Sequence, residues 1–231
     1  MTQHKTDSHK SDWGYALLAM VLYLLLGMDA FSVFVIGPLV NGQPLHDASL
    51  HFNNWYARAG ANFFSTALWT ITALLVIYWL KQRNALEKFL GTRFDGRSIG
   101  FFAIGIIVLI AIIRSVAPAE SPWLRFVAEN RRFEELYPGN GLMVTIIQHL
   151  YYIAESAMVV LVLAAWQRAG EIWTKKTLVP WGGLGLALTW GISHGLWGII
   201  PSLVIGVIFV STQKNALLSL VSVLMLFVVY S

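Results

Sequence analysis

The chain has 231 residues, of which 57% are hydrophobic and 12% charged, with a formal net charge of +4 and a mean hydropathy of +0.63. A soluble domain carries about 25% charged residues, so this composition excludes an ordinary soluble core and places the chain in lipid. The absence of cysteine excludes disulfides, thiolate metal sites, cysteine nucleophiles and attached haem.

Residues 1–12 read as a disordered polar tail, and 13–231 as a single integral membrane domain. A helical span needs roughly 20 apolar residues. Seven apolar segments can be drawn, at about 13–40, 59–80, 98–116, 141–166, 179–199, 201–213 and 215–230. The first is too long for a cleaved signal peptide and reads as an uncleaved span. Pro201 separates the fifth segment from the sixth, and "STQKN" separates the sixth from the seventh. The expected fold is therefore all-α, a polytopic membrane helix bundle of about seven transmembrane helices. With the N-terminus placed in the cytoplasm, eleven lysines and arginines fall in inner segments and five in outer ones. That bias follows the positive-inside rule and predicts a cell-membrane protein with a cytoplasmic N-terminus. The basic residues lie between spans and form no continuous patch, so no nucleic-acid partner is expected. The segment before the fourth span, "APAESPWLRFVAENRRFEELYPGNG", is partly amphipathic and suits the membrane interface.

Ionisable side chains inside spans cost about 2.5–3.5 kcal/mol on insertion scales, so each one needs a reason. Asp29 in the first span reads best as a carboxyl bonded to a neighbouring helix. Glu155 lies deep in the fourth span, and either bonds Tyr151 or Tyr152 one turn earlier or serves as a base toward water. His149 lies nearer the start of that span. His194 sits in "TWGISHGLWGII" among Gly191, Ser193, Gly195 and Gly198, small residues that let helices approach closely. Its plain role is an interhelical hydrogen bond. Glu155 and His194 fall on consecutive spans at comparable depth, so two antiparallel helices can bring them together around a water. Two ligands alone make a poor zinc site, and no metal or cofactor is expected.

Three features coincide over residues 141–231. Trp190-Gly-Ile-Ser-His194 places an aromatic four residues before a histidine; Glu155 precedes that histidine by 39 residues; and "GVIFVSTQKNALLSLVSVL" has a small-residue helix, a Thr-led turn and a last helix. In these the chain resembles the CPBP intramembrane protease family, the CAAX-type prenyl-protein proteases and bacteriocin-processing enzymes. The resemblance implies an all-helical membrane core at about 141–231 and peptide hydrolysis by a water activated between glutamate and histidine. Carried over by position, Glu155 and His194 are the implied catalytic pair, and Ser222 stands where the family has a second histidine. The pattern departs elsewhere: Ser156 replaces a second glutamate, Val160 an arginine, and Leu226 stands at the place of an asparagine. Glu134-Glu135 imitates the first motif, but in a loop and without the arginine. Losing one oxyanion donor costs about 100- to 1000-fold in rate. Two expectations therefore stand: a divergent intramembrane peptidase using Glu155, His194 and, weakly, Ser222, or a non-catalytic scaffold binding a membrane partner. Both take the lipid bilayer and a hydrophobic or membrane-associated peptide as partners; oligomeric state is left open. A small-molecule transporter is disfavoured by the lack of an inverted repeat.

Overall fold

The computed structural model describes residues 13–31, 34, 35, 39, 54–115 and 124–229. The polar tail at 1–12, most of the first segment beyond residue 31, and part of the segment before the fourth span lie outside these. The described residues are helical, with two isolated bridges, Gly91 to Asn215 and Leu124 to Val229. The expected all-α membrane bundle is the architecture found.

Helix α1 covers Gly14–Leu26, and α2, Met28–Phe31, follows after Gly27. Helix α3, Trp55–Gln82, begins on an Asn54 cap whose side chain accepts from the Ala57 N–H. The short α4, Leu86–Phe89, leads to α5, Gly96–Arg114, capped by Asp95 at the Ser98 N–H. Helix α6, Arg125–Leu136, is the amphipathic helix expected before the fourth span. Helix α7, Gly141–Thr174, is the axis of the bundle. With 34 residues it runs about 50 Å, well beyond a bilayer core of about 30 Å. No proline interrupts it, and helices α1, α3, α6 and α10 (Ala216–Val228) pack around it. Over residues 154–165 its apolar side chains are accordingly buried on nearly every face, including Met158, Val159, Val162 and Leu163, whereas Leu142, Ile146, Leu150 and Ile153 leave an exposed stripe nearer its start. The acid pair at 134–135 has a structural use: Glu134 accepts the backbone N–H groups of Gly139 and Gly141, holding the start of α7.

The sequence ended the fourth span at 166, yet α7 continues to Thr174. Gln167 and Glu171 have partners that a hydropathy window cannot see. Gln167 accepts from the Gly182 N–H and donates to Glu171 and to the Val179 carbonyl. Lys214 donates to Glu171 at 2.7 Å. These bonds fasten the far end of α7 to the segment that follows it and to the turn after α9 that carries Lys214.

The largest departure concerns the fifth and sixth segments. Pro201 does not separate them; it lies inside α9, Leu196–Ser211. The break falls at His194–Gly195, where Gly195 adopts φ +66° and ψ −156°, a conformation that needs glycine. Before it, α8, Trp181–Leu186, passes into a π-helical turn at Ala187–Gly191. Helices α8 and α9 thus form a tight hairpin with His194 at its tip. The seam is the contact of Gly183 with Gly206: a Cβ on Gly206 would meet Gly183 Cα at 2.3 Å. Pro201 lies in the second turn of α9, and the Ser202 hydroxyl beside it donates to the Gly198 carbonyl. Among the described residues four helices are long and apolar enough to cross a membrane: Gly14–Phe31, Trp55–Gln82, Gly96–Arg114 and Gly141–Thr174. Among the described residues the last three apolar segments form helices shorter than full spans: α8 with its π turn, α9 of 16 residues and α10 of 13.

Candidate functional site

The hairpin lies antiparallel along α7: Trp181 packs on Gly170, Gly185 on Trp166, and Trp190 reaches Glu155. Along α8 and the π turn, Gly182, Leu186 and Trp190 point inward at four-residue intervals, while Leu184, Leu188 and Ile192 point outward. This phase delivers the Trp190 indole to the buried face of α7. Its Nε1–H donates to Glu155 Oε1 at 3.2 Å. Glu155 is only 6% exposed, and a buried carboxyl needs such a partner. The tyrosine partner expected one turn earlier is replaced by this indole. Tyr152 turns instead to Glu129 on α6 and donates its hydroxyl there.

His194 is exposed at the hairpin tip. Its ring lies on the Trp190 indole, with centroids 4.2 Å apart and planes at 30°. Its Nδ1 is 2.9 Å from the Trp190 carbonyl oxygen. A carbonyl only accepts, so that contact places a proton on Nδ1, which in the neutral ring leaves the lone pair on Nε2. The Ser193 hydroxyl donates to the same carbonyl and stands 3.1 Å from Nδ1. Glu155 and His194 are thus gathered into one cluster through Trp190, which touches both.

Ser222 is engaged within its own helix. It is fully buried on α10, and its hydroxyl donates to the Leu218 carbonyl of its own helix at 2.8 Å. The contact of α10 with the cluster comes from Phe227, which meets Trp190 edge-on at 6.4 Å and stacks on Tyr152 at 4.8 Å. Five residues separate Ser222 from Phe227, about 7.5 Å along a helix axis. The positions where the family motif carries polar groups are likewise used for packing. The Ser156 hydroxyl donates to the Tyr152 carbonyl, and Val160 lies in the core.

Around this centre lie two further polar groups. Asp29 accepts from the Ser65 hydroxyl on α3 at 3.4 Å, the interhelical role expected of it, and is near enough to act electrostatically on Glu155. On the α6 side, His149 Nδ1 stands 2.9 Å from the Thr145 carbonyl oxygen and 3.8 Å from Glu129. Arg125 lies 5.7 Å from the centre of the Tyr152 ring. Glu129 and the Trp190–Glu155 bond were not readable from sequence. Glu129 sits 23 residues from Tyr152, and Trp190 showed only its four-residue spacing to His194, which the π turn makes into a ring contact. No group of three or more His, Asp or Glu able to hold a metal occurs among the described residues. No family model matches the chain, and no curated protein or solved structure matches it either.

Proposed function

We propose that this chain is a CPBP-like membrane scaffold that receives a hydrophobic membrane segment at the Glu155–Trp190–His194 cluster and does not cut it. The observation that carries this reading is the Trp190 indole. Its N–H engages Oε1, one of the two carboxyl oxygens of Glu155, and its ring carries the imidazole, so both candidate groups are held by one side chain. Ser222, the candidate third member, has its proton on its own helix. The exposed ridge of Leu184, Leu188, Ile192 and Leu196 beside the tip supplies an apolar surface for such a segment. We place the protein in the cell membrane with its N-terminus in the cytoplasm. Support comes from the clustering of Lys81, Arg93, Arg97, Arg168 and Lys214 toward one end of the bundle, by the Glu171–Lys214 and Arg93–Asn215 contacts.

A second reading is a divergent intramembrane peptidase, with Glu155 as general base, His194 as its partner and Ser222 as a weak oxyanion donor. It draws on the exposed His194 ring, whose Nε2 lone pair is left available by the Nδ1 contact. This reading requires Trp190 to release Glu155 when substrate enters. The deciding experiment presents a pool of transmembrane peptides to the protein in lipid vesicles, beside the Glu155→Gln and His194→Ala variants. The scaffold reading expects peptide capture without cleavage, with capture weakened by Trp190→Ala. Cleavage lost in both Glu155→Gln and His194→Ala would overturn it in favour of the peptidase.

A further inference from the structure

Helices α5 and α9 cross where Gly105 lies under Ile208; a Cβ at Gly105 would stand 2.4 Å from the Ile208 Cγ1. On their outer side the two helices leave a groove of about 330 Å³, lined by Phe101, Ile104, Val108, Leu203 and Val207, with Ser211 its one hydroxyl-bearing residue. The groove is open: Ile104 is 62% exposed and Val207 53%. Its walls are apolar and it runs along helices that lie in the membrane, so its occupant is lipid. Which lipid is indicated by its polar end.

On α5, residues 97, 101, 104 and 108 share one face. Arg97 stands one turn beyond Phe101, with its Cζ 5.5 Å from the ring centroid. Phe101 lines the groove, so that contact sets the guanidinium just beyond the groove's lining residues. Ser211, at the end of α9, lines the same groove. From Arg97 to Val108 is eleven residues, about 16 Å of helix. One leaflet of hydrocarbon is about 15 Å deep. The slot thus has the length of one acyl chain, with a phosphate-binding cation where the headgroup begins. Nearby, a second cavity of about 300 Å³ is lined by Lys88, Arg93, Thr92 and Gln213, together with Glu87. Asp95, two residues before Arg97, is engaged by the Ser98 N–H and the Gln213 side chain and also feels the Arg97 charge.

We infer that the α5–α9 groove holds one acyl chain of an anionic phospholipid, with its phosphate at Arg97 and Ser211. The site is independent of the Glu155–Trp190–His194 cluster. The test reconstitutes the full chain in phosphatidylcholine vesicles carrying a trace of either phosphatidylglycerol or phosphatidylcholine with a photoactivatable acyl chain. Labelled peptides are then mapped. The phosphatidylglycerol probe is expected to label 101–108 and 203–211 about fivefold more than the phosphatidylcholine probe, the preference one arginine near the surface supplies. Arg97→Gln should reduce that ratio to about one, and Arg97→Lys should retain part of it. Val207→Trp, which fills an exposed lining position, should remove labelling there by both probes. Equal labelling by both probes in the unsubstituted protein would overturn the inference, as would a ratio that Arg97→Gln leaves unchanged.

Discussion

Replacing Trp190 by phenylalanine keeps an aromatic ring for His194 and Phe227 but removes the N–H that Glu155 accepts at 3.2 Å. Interhelical hydrogen bonds in bilayers average about 0.6 kcal/mol and reach about 1.7. Orphaning a buried acceptor adds to that, at about 1–3 kcal/mol in soluble hosts. Glu155 is almost wholly enclosed, so the upper part of the bilayer range applies, and Trp190→Phe should destabilise by about 1–2 kcal/mol. Glu155→Gln offers an amide oxygen to the same indole and should change stability by no more than about 0.5 kcal/mol. Glu155→Leu leaves the indole N–H unpaired instead. The double variant Trp190→Phe/Glu155→Leu removes both partners, and should cost about 1 kcal/mol less than the sum of the single variants. Reversible unfolding in mixed micelles, followed by far-ultraviolet circular dichroism, measures all four species. Additivity of the two changes within about 0.3–0.5 kcal/mol would refute the bond as a link between the hairpin and α7.

Gly206→Leu should splay the hairpin, because even a Cβ at this position meets Gly183 Cα at 2.3 Å; an overpacking cost of about 1–3 kcal/mol and loss of Trp190 fluorescence polarisation against Trp-less controls are the readouts. Lys214→Met should destabilise through Glu171, whose side chain is 2% exposed and keeps only the longer 3.6 Å contact with Arg168 as an ion pair; the cost should approach the lower end of about 3–5 kcal/mol, and Glu171→Gln in the same chain should recover most of it in thermal unfolding. The Ser98 N–H bond, first among several contacts, holds the Asp95 carboxyl below its ordinary range. A lowered folded value means that the cap's contribution is complete above the unfolded carboxyl range near pH 4 and is lost as pH falls through the folded value. Asp95→Asn should therefore flatten the acid limb of the stability curve below about pH 4, as read by unfolding midpoints across pH.

The membrane class and most helix positions were legible in the residues because they depend on composition and local runs. An apolar stretch must be helical in lipid whatever it packs against, and the Asn54 and Asp95 caps are local too. Glu155 and His194 were also legible as exceptions, since a costly group in an apolar run stands out. What the chain alone did not reveal depends on contacts across it. Hydropathy ended α7 early because Gln167 and Glu171 look expensive until Gly182, Val179 and Lys214 are beside them. Proline looked like the hairpin's break, whereas the turn required a backbone conformation that Gly195 supplies. The partner of Glu155 was decided by helix phase. The glycine seam sets how closely α9 meets α8, and the π turn sets which way residue 190 faces. A short connection between α7 and α8 makes such a meeting possible, but only the packed hairpin chooses the Trp190 indole over the tyrosines one turn away.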